Sequence, residues 1–320
     1  MSDIVLITGG LGYVGGRVSK YLADNTDYKL RVTTRQDDVN IPGFLRESEI
    51  ANADLMSERD IRTACSGVRW VIHLASLNEI ESYTNPESAL LVNGLGSLNL
   101  LRAAEKAGVE RFIYFSTAHV YGAPLQGIVT EETCPRPIHP YAITHRIAED
   151  FVLAAHDRKI LTGIVLRLSN GFGVPMRPDV NRWTLLVNDL CRQAVTTRKL
   201  VLRSAGLQRR DFVTLLDVSR AVSFFLNIPV EKCGNGLFNL GGEWPLRIID
   251  MAEFIAKRCY EVLGFKPEII RPLPIATETS SMLDYRIEKL KATGFALTKN
   301  VNAEIDATLL FCQNEFGKRA

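Results

Sequence analysis

The first fifteen residues constrain this chain more than any other stretch. An apolar run, Ile4-Val5-Leu6-Ile7, leads into Thr8-Gly9-Gly10-Leu11-Gly12-Tyr13-Val14-Gly15. A short apolar run ending in glycine reads as a buried parallel strand. Gly9, Gly12 and Gly15 stand at GxxGxxG spacing. Val14 and the segment Gly16-Arg17-Val18-Ser19-Lys20-Tyr21-Leu22 read as an amphipathic helix. Strand, glycine turn and helix N-terminus together make an anion site. Backbone N–H groups and the helix dipole point outward, and the missing side chains let a pyrophosphate approach. Glycine serves any tight turn. The strand before it and the helix after it make dinucleotide binding the preferred reading.

Further strand and helix patterns alternate behind this start. Leu30 to Thr34, Arg69 to Leu74, Arg111 to Ser116 and Gly163 to Leu168 read as strands. Ser88 to Lys106 carries Leu91, Leu95, Leu98, Leu101 and Ala104 at helical spacing, with Gly108 as a stop, and Tyr141 to His156 reads as a second long helix. This alternation predicts an α/β fold with a doubly wound parallel sheet and right-handed crossovers. Ligands of such sheets bind outside the carboxyl ends of the strands. After Asn170 the pattern changes. Pro175 and Pro178 bracket an irregular segment, then a helix (Trp183 to Val195) and a short strand (Lys199 to Arg203) follow. Asp211-Phe212-Val213 and Phe238-Asn239-Leu240 read as returns to the sheet, and Ile248 to Leu263 and Val301 to Phe316 as closing helices. The expected organisation is a dinucleotide-binding unit, 1–173 with about 209–243. A smaller, discontinuous C-terminal substrate-capping domain takes about 174–208 with 244–320.

Composition removes several function classes. With 320 residues, 46% hydrophobic and 23% charged, the chain has ordinary globular content. A net charge of +2 gives no basic surface for nucleic acid. Cys65, Cys134, Cys191, Cys233, Cys259 and Cys312 lack CxxC spacing and read as reduced thiols. The histidines also lack ligand spacing, so no metal site is expected. The N-terminal apolar run is too short for a signal peptide, and no stretch has the length of a membrane span. A cytoplasmic location is the resulting expectation.

A set of ordered motifs is more specific. Asp54-Leu55 follows a presumed third strand, and Val71-Ile72-His73-Leu74-Ala75-Ser76 ends the fourth. Asn93-Gly94-Leu95-Gly96-Ser97-Leu98-Asn99 lies in the long helix. Phe115-Ser116-Thr117-Ala118-His119-Val120-Tyr121-Gly122 ends the fifth strand, and Pro140-Tyr141 opens the next helix. Leu166-Arg167-Leu168-Ser169-Asn170-Gly171-Phe172-Gly173, Arg210-Asp211-Phe212-Val213 and Asp217-Val218 complete the series. In order and spacing the chain resembles the extended short-chain dehydrogenase/reductase family, in its nucleotide-sugar epimerase, dehydratase and ketoreductase branch. The resemblance covers nearly the whole chain and is weakest after about Pro245. It implies a Rossmann sheet and an NAD(P)-dependent oxidoreductase or epimerase.

That family transfers hydride with a Ser/Thr, a Tyr and a Lys, the last two spaced YxxxK. The resemblance places the hydroxyl at Thr117, with Ser116 as the fallback, and the proton-transfer residue at Tyr141. The chemistry is sound by itself: a carbonyl being reduced gathers charge on oxygen, which hydroxyl donors stabilise and one must protonate. The departure is at i+4, where His145 stands in place of Lys. A neutral imidazole can hydrogen-bond a ribose hydroxyl but lowers a neighbouring phenol's pKa far less than an ammonium. His145 therefore reads as a working substitute, as the mark of an enzyme using Tyr141 as an acid, or as the mark of a non-catalytic dinucleotide sensor or scaffold.

For the cofactor, the resemblance implies contacts from Gly9, Gly12, Tyr13, Val14 and Gly15, from Asp54 and Leu55 at the adenine, and from Leu74, Ala75 and Ser76. Tyr141 and His145 would lie at the nicotinamide end. At the end of the second strand Thr34 fills the slot where NAD-preferring members carry an acid, and Arg35 follows it. A guanidinium pairs with a 2′-phosphate, which favours NADP(H) over NAD(H). The competing reading has Arg35 solvated and Asp37 or Asp38 on the ribose.

For the substrate, a nucleotide sugar, the resemblance points to Thr117, Asn170 and Arg210. Arg210 reads either as a diphosphate clamp or as an ion-pair partner of Asp211 or Asp217. Arg177, Arg182 and Arg271 could add charge, His73 reads as packing, and the role of His119 is open. The family's 4,6-dehydratases carry Asp-Glu directly after the catalytic Thr. Ala118-His119 stand there instead, so elimination is disfavoured. The leading expectation is hydride transfer at C4, as reduction of a 4-keto sugar, with 4-epimerase or C4 dehydrogenase as the alternative. An enzyme of this type acting on another ketone is a third. Apolar residues beyond one stripe of the two long helices, including Leu90, Leu100, Ile147 and Phe151, predict a homodimer built on a four-helix interface.

Overall fold

The computed structural model describes residues 3–36, 40–274 and 281–317. A seven-stranded parallel sheet forms its centre. Across the sheet the strands run Leu237–Leu240, Thr162–Leu168, Arg111–Thr117, Trp70–His73, Ile4–Thr8, Lys29–Thr34 and Glu49–Asn52. The order reverses at Ile4–Thr8, which pairs with Lys29–Thr34 on one side and Trp70–His73 on the other. The chain therefore leaves this strand in opposite directions, and a crevice opens at its carboxyl end.

The two-residue period of each strand sorts side chains into two cores. Val5, Ile7, Ile72, Ile113, Phe115, Ile164 and Leu166 join one apolar layer. Leu6, Val71, Phe112, Tyr114 and Val165 join the other. The second layer holds Ala148, Val152 and Ala155 of the Pro140–Asp157 helix against the sheet. That helix is also fixed by a buried fork: Arg167 donates to both Glu149 oxygens at 2.9 and 2.7 Å. Helix and strand are thus held in one register, which matters because the helix carries Tyr141 and His145.

The segment expected as one helix from Ser88 to Lys106 has an α-helical start (Pro86–Ala89), a π-helical middle (Leu90–Gly96) and an α-helical end (Ser97–Lys106). Asn93 in the π segment accepts from the Leu77 amide and donates to Thr144 Oγ1, tying it to the loop beside the crevice.

Two expectations require correction. The Asp211-Phe212-Val213 segment does not return to the central sheet. Arg209–Thr214 pairs instead with Asn170–Phe172 and Pro245–Arg247 in a separate three-stranded sheet. The Asp211 carboxylate accepts from Ser169 Oγ and from the Gly242 and Trp244 amides, which draws this strand away from the central ladder. The helix expected from Trp183 begins at Leu186, because Asn188 Nδ2 and the Leu185 amide both bond the Arg182 carbonyl in the preceding turn. The Ile248–Leu263 and Val301–Phe316 helices have the bounds their sequence suggests. They pack with Leu186–Thr197 around a third apolar core that includes Leu190, Met251, Ile255 and Leu309. Among the described residues no helix is long and apolar enough to cross a membrane.

Candidate active site

The turn after the first strand sets the floor of the crevice. Gly9 has φ +70°, and a Cβ there would sit 2.9 Å from the Ala75 amide nitrogen. At Gly15 a Cβ would stand 2.1 Å from the Gly9 carbonyl oxygen, closer than any side chain allows. Glycine is required at both positions so that helix, turn and the strand end at Leu74–Ala75 can meet. Gly12 is the N-cap of the Tyr13–Asn25 helix and brings no side-chain acceptor to its first turn, which also has no acidic residue. These amides suit an external anion.

A cavity of about 690 Å³ runs from this turn along the strand ends. Gly9, Gly12, Tyr13, Val14 and Gly15 line one end, Arg35, Asp54 and Leu55 a side, and Leu74, Ala75, Ser76, Tyr141 and His145 the remainder. Every residue expected at the cofactor thus borders one cavity. Arg35 is exposed there, and among the described residues it has no ion-pair partner. Asp37 and Asp38, the competing ribose contacts, lie outside the described residues. Tyr13 contributes its ring only: its hydroxyl lies 2.9 Å from both the Gly173 carbonyl and Asn188 Oδ1, and it accepts from the Gly173 amide.

The far end holds Tyr141 and His145. Tyr141 opens its helix, where the His139 side chain accepts from the Tyr141 amide as the cap. The rings of Tyr141 and His145 meet edge to face with centroids 4.3 Å apart, as an i,i+4 pair on one helical face should. Burial holds the Tyr141 phenol well above its ordinary pKa, Glu79 adds to this, and Arg182 opposes it. Burial pulls the His145 imidazole down to about 3. Near neutral pH the pair is a protonated phenol beside a neutral imidazole. His145 Nδ1 lies 2.7 Å from the Tyr114 hydroxyl, its buried Nε2 meets no hydrogen-bond partner by distance and angle among the described residues, and the Phe115 carbonyl bears on the ring.

The residues expected at the substrate are placed differently. Thr117, Asn170 and Arg210 all stand outside the walls of the cavity. Thr117 ends its strand buried, and its Oγ1 accepts from the His119 amide. Ser116 does line the cavity, and its buried Oγ has no partner. The two-residue period explains the difference. Ser116 shares a strand face with Phe112 and Tyr114, toward the helix of Tyr141, whereas Thr117 falls on the opposite face. Asn170 Nδ2 donates to the Asp211 carbonyl. Arg210 pairs with neither Asp211 nor Asp217, whose carboxylates are engaged by other groups. It is a half-buried guanidinium without an ion-pair partner among the described residues, close enough for its charge to bear on His119.

Of the other arginines, Arg177 and Arg182 reach the cavity from the segment after Gly173. Arg182 pairs with Glu79 at 3.4 Å. Arg271 donates to the Ala205 carbonyl and is spent elsewhere. His73 packs as expected, buried between Thr8 Oγ1 at 2.6 Å and Ser97 Oγ at 2.8 Å. Sequence reasoning missed Tyr114. The available signal was its two-residue offset from Ser116 on a strand facing His145. Among the described residues no group of His, Cys, Asp or Glu could hold a metal.

Comparison with known proteins agrees with this arrangement. A family model described as the NAD dependent epimerase/dehydratase family matches residues 5–241. A dTDP-D-glucose 4,6-dehydratase of Mus musculus is 26% identical over 295 residues, covering 88% of this chain and 77% of that protein. A putative UDP-glucose 4-epimerase of Methanocaldococcus jannaschii is 25% identical over 274 residues, covering 85% and 86%. In structure the chain is similar to the UDP-glucose 4-epimerase of Thermotoga maritima, with a TM-score of 0.81 at 22% identity, covering 97% of this chain and 99% of that one.

Proposed function

The chain belongs to the NAD dependent epimerase/dehydratase family, as an enzyme of the extended short-chain dehydrogenase/reductase type, and from this premise we propose that it transfers hydride at C4 of a nucleotide-linked sugar, in the direction of 4-keto sugar reduction. The observation carrying this reading is the protonated Tyr141 beside a neutral His145, in the cavity that begins at the glycine turn. The residues present fit a nicotinamide dinucleotide: a glycine cradle that any Cβ would fill, an uncapped helix start, and an orphan imidazole nitrogen at the other end. When bound, the dinucleotide supplies or accepts hydride. Arg35, exposed where a carboxylate would repel a 2′-phosphate, supports NADP(H) over NAD(H).

The chain's own residues then divide the work. The turn amides and Arg35 hold phosphates, and Asp54 and Leu55 flank the adenine end. His145 orients the ribose without adding charge. The Tyr141 hydroxyl donates a proton to the carbonyl oxygen as it becomes an alkoxide. A second hydroxyl from the strand end steadies that oxygen. Thr117 is the family position, but Ser116 lines the cavity and its Oγ has no hydrogen-bond partner among the described residues. Arg210 is suited to the substrate diphosphate because no internal carboxylate neutralises it, and Asn170 stands beside it in the same small sheet. The unit 174–208 with 244–320 serves as the cap over the substrate.

The test is turnover of a panel of nucleoside-diphosphate 4-keto-hexoses with NADPH or NADH, followed by dinucleotide absorbance, with Tyr141→Phe as control. Net oxidation of the dinucleotide that is lost in the control is expected. Interconversion of C4 epimers with a tightly held NAD and no net consumption would instead support the 4-epimerase reading, which the epimerase relatives favour.

We also propose a homodimer. Leu90, Leu91 and Leu95 of the π segment and Ile143 and Phe151 of the Tyr141 helix are exposed, up to 50% at Leu90, forming an apolar surface of the kind that marks an interface. Leu100 does not contribute, since it is 1% exposed in the monomer core. A monomer by light scattering at micromolar concentration would contradict this.

A further inference from the structure

Tyr114 reaches the cavity only through His145. Its strand, Arg111–Thr117, lies under the Pro140–Asp157 helix, and both side chains are buried. Three rings step from the sheet to the cavity: Tyr114 to His145 at 5.7 Å between centroids, then His145 to Tyr141 at 4.3 Å. On the other side His73 stands 5.5 Å from Tyr114. The polar atoms along this line must share a limited number of protons.

Counting those protons fixes their directions. Ser97 Oγ donates to the Asn93 carbonyl at 2.5 Å, so its single proton is spent. His73 Nε2, 2.8 Å from Ser97 Oγ, must then be the donor, and His73 Nδ1 accepts from Thr8 Oγ1 at 2.6 Å. A neutral imidazole carries one proton, and His73 is now fully assigned. The Tyr114 hydroxyl also bears on Ser97, but Ser97 Oγ already receives the His73 Nε2 proton, and the acceptor at a short, direct distance is His145 Nδ1 at 2.7 Å. Burial keeps the Tyr114 phenol protonated. Its proton points at His145 Nδ1, so the imidazole proton sits on Nε2, the buried nitrogen without a partner.

We propose that Tyr114 is a positioning residue that locks His145 into the Nε2–H form. The cavity is thereby given one uncharged N–H donor, suited to a hydroxyl oxygen such as that of a nucleotide ribose. This deepens the function proposed above and rests on it for the identity of the ligand. It also separates His145 from an ammonium in that position. The imidazole offers one directed donor whose partner nitrogen is held from behind, and no fixed charge. Without the Tyr114 hydroxyl, no side-chain donor among the described residues holds Nδ1 as an acceptor, and the Phe115 carbonyl is the remaining group bearing on the ring.

The wild-type protein tests this directly. With ¹⁵N-labelled histidine, NMR reads which ring nitrogen carries the proton, and loss of one signal in His145→Gln assigns it. The account expects His145 as the Nε2–H tautomer near neutral pH. In Tyr114→Phe it expects a mixture of tautomers and binding of NADPH or NADH weakened about 3- to 10-fold, the loss of one neutral hydrogen bond. A purely structural role for Tyr114 would lower the melting temperature and leave the tautomer unchanged. A wild-type Nδ1–H form, or an unchanged tautomer in folded Tyr114→Phe, overturns the proposal. Should the variant not fold, the wild-type spectrum alone decides. Failure of the functional reading registers separately, as absence of dinucleotide binding to the wild-type protein.

Discussion

The two ends of the cavity differ in what builds them. At the glycine end the shape comes from backbone: a positive φ at Gly9, a Cβ-free approach at Gly15, and helix amides with no internal cap. At the tyrosine end the shape comes from side chains that several distant elements must deliver together. Tyr141 and His145 arrive on one helix, Tyr114 and Ser116 on a strand, and Arg182 on the segment after the sheet. A backbone site tolerates almost no change in residue type at its few positions. A side-chain site can exchange one donor for another, as proposed for His145, if the surroundings adjust its proton.

The largest expected effect lies at the glycine end. Replacing Gly12 with valine asks the Gly9 carbonyl, 3.1 Å from a Cβ there, to give by a few tenths of an ångström, and it puts bulk where a pyrophosphate must approach. Dinucleotide binding by calorimetry should fall at least about 100-fold, with a melting temperature close to wild type. Equal affinity would mean that the backbone end is not the phosphate site.

At the other end, Tyr141→Phe should lower kcat by about 10²–10⁴, the usual contribution of a positioned general acid, with little change in dinucleotide affinity. A matched loss of binding would make Tyr141 part of the cofactor wall rather than a proton donor. The exchange Arg35→Ala has a smaller expected effect than either. It should weaken NADP(H) by about 1.5–3 kcal/mol, as expected for a charge-assisted contact, while NAD(H) changes little. Equal losses, or a wild-type preference for NAD(H), would remove the 2′-phosphate from the account. The smallest contrast sharpens the tyrosine end alone. Ser116→Ala should reduce kcat more than Thr117→Ala, because Ser116 lines the cavity and Thr117 does not. The reverse order would mean that the strand end rearranges when substrate binds.

The same division explains what the sequence made legible. The glycine turn was legible from Ile4 to Gly15, and the alternation of strands and helices from the segments between Leu30 and Leu168, because both follow from local rules. The residues bordering the cofactor end were identifiable for the same reason, because each sits at a strand end or the first turn of a helix. Thr117 and Ser116 are adjacent, and motif position alone could not say which of them borders the cavity; the strand's alternating faces put Ser116 there. The strand at Arg209–Thr214 was misplaced because Asp211 draws it into a second sheet through partners far away in sequence, Ser169, Gly242 and Trp244. Tyr114 was invisible as a functional residue because its role depends on a proton count across four elements.

The central claim is that Tyr141 works as a proton donor because burial and Glu79 outweigh Arg182 and no ammonium stands one helical turn away. Its sign can be worked out. The phenol must lose its proton to act as base in alcohol oxidation, and burial holds its pKa above the ordinary value of about 10. Oxidation should therefore keep rising with pH into the alkaline range, while reduction stays supplied with protons at neutrality. His145→Lys should move the oxidative limb to lower pH. The most direct measurement is the pH profile of dinucleotide-linked oxidation by the wild-type enzyme beside Tyr141→Phe. The account predicts no inflection near about pH 6–7. An inflection in that range that vanishes in Tyr141→Phe would contradict it, because His145 would then be activating the phenol as an ammonium does.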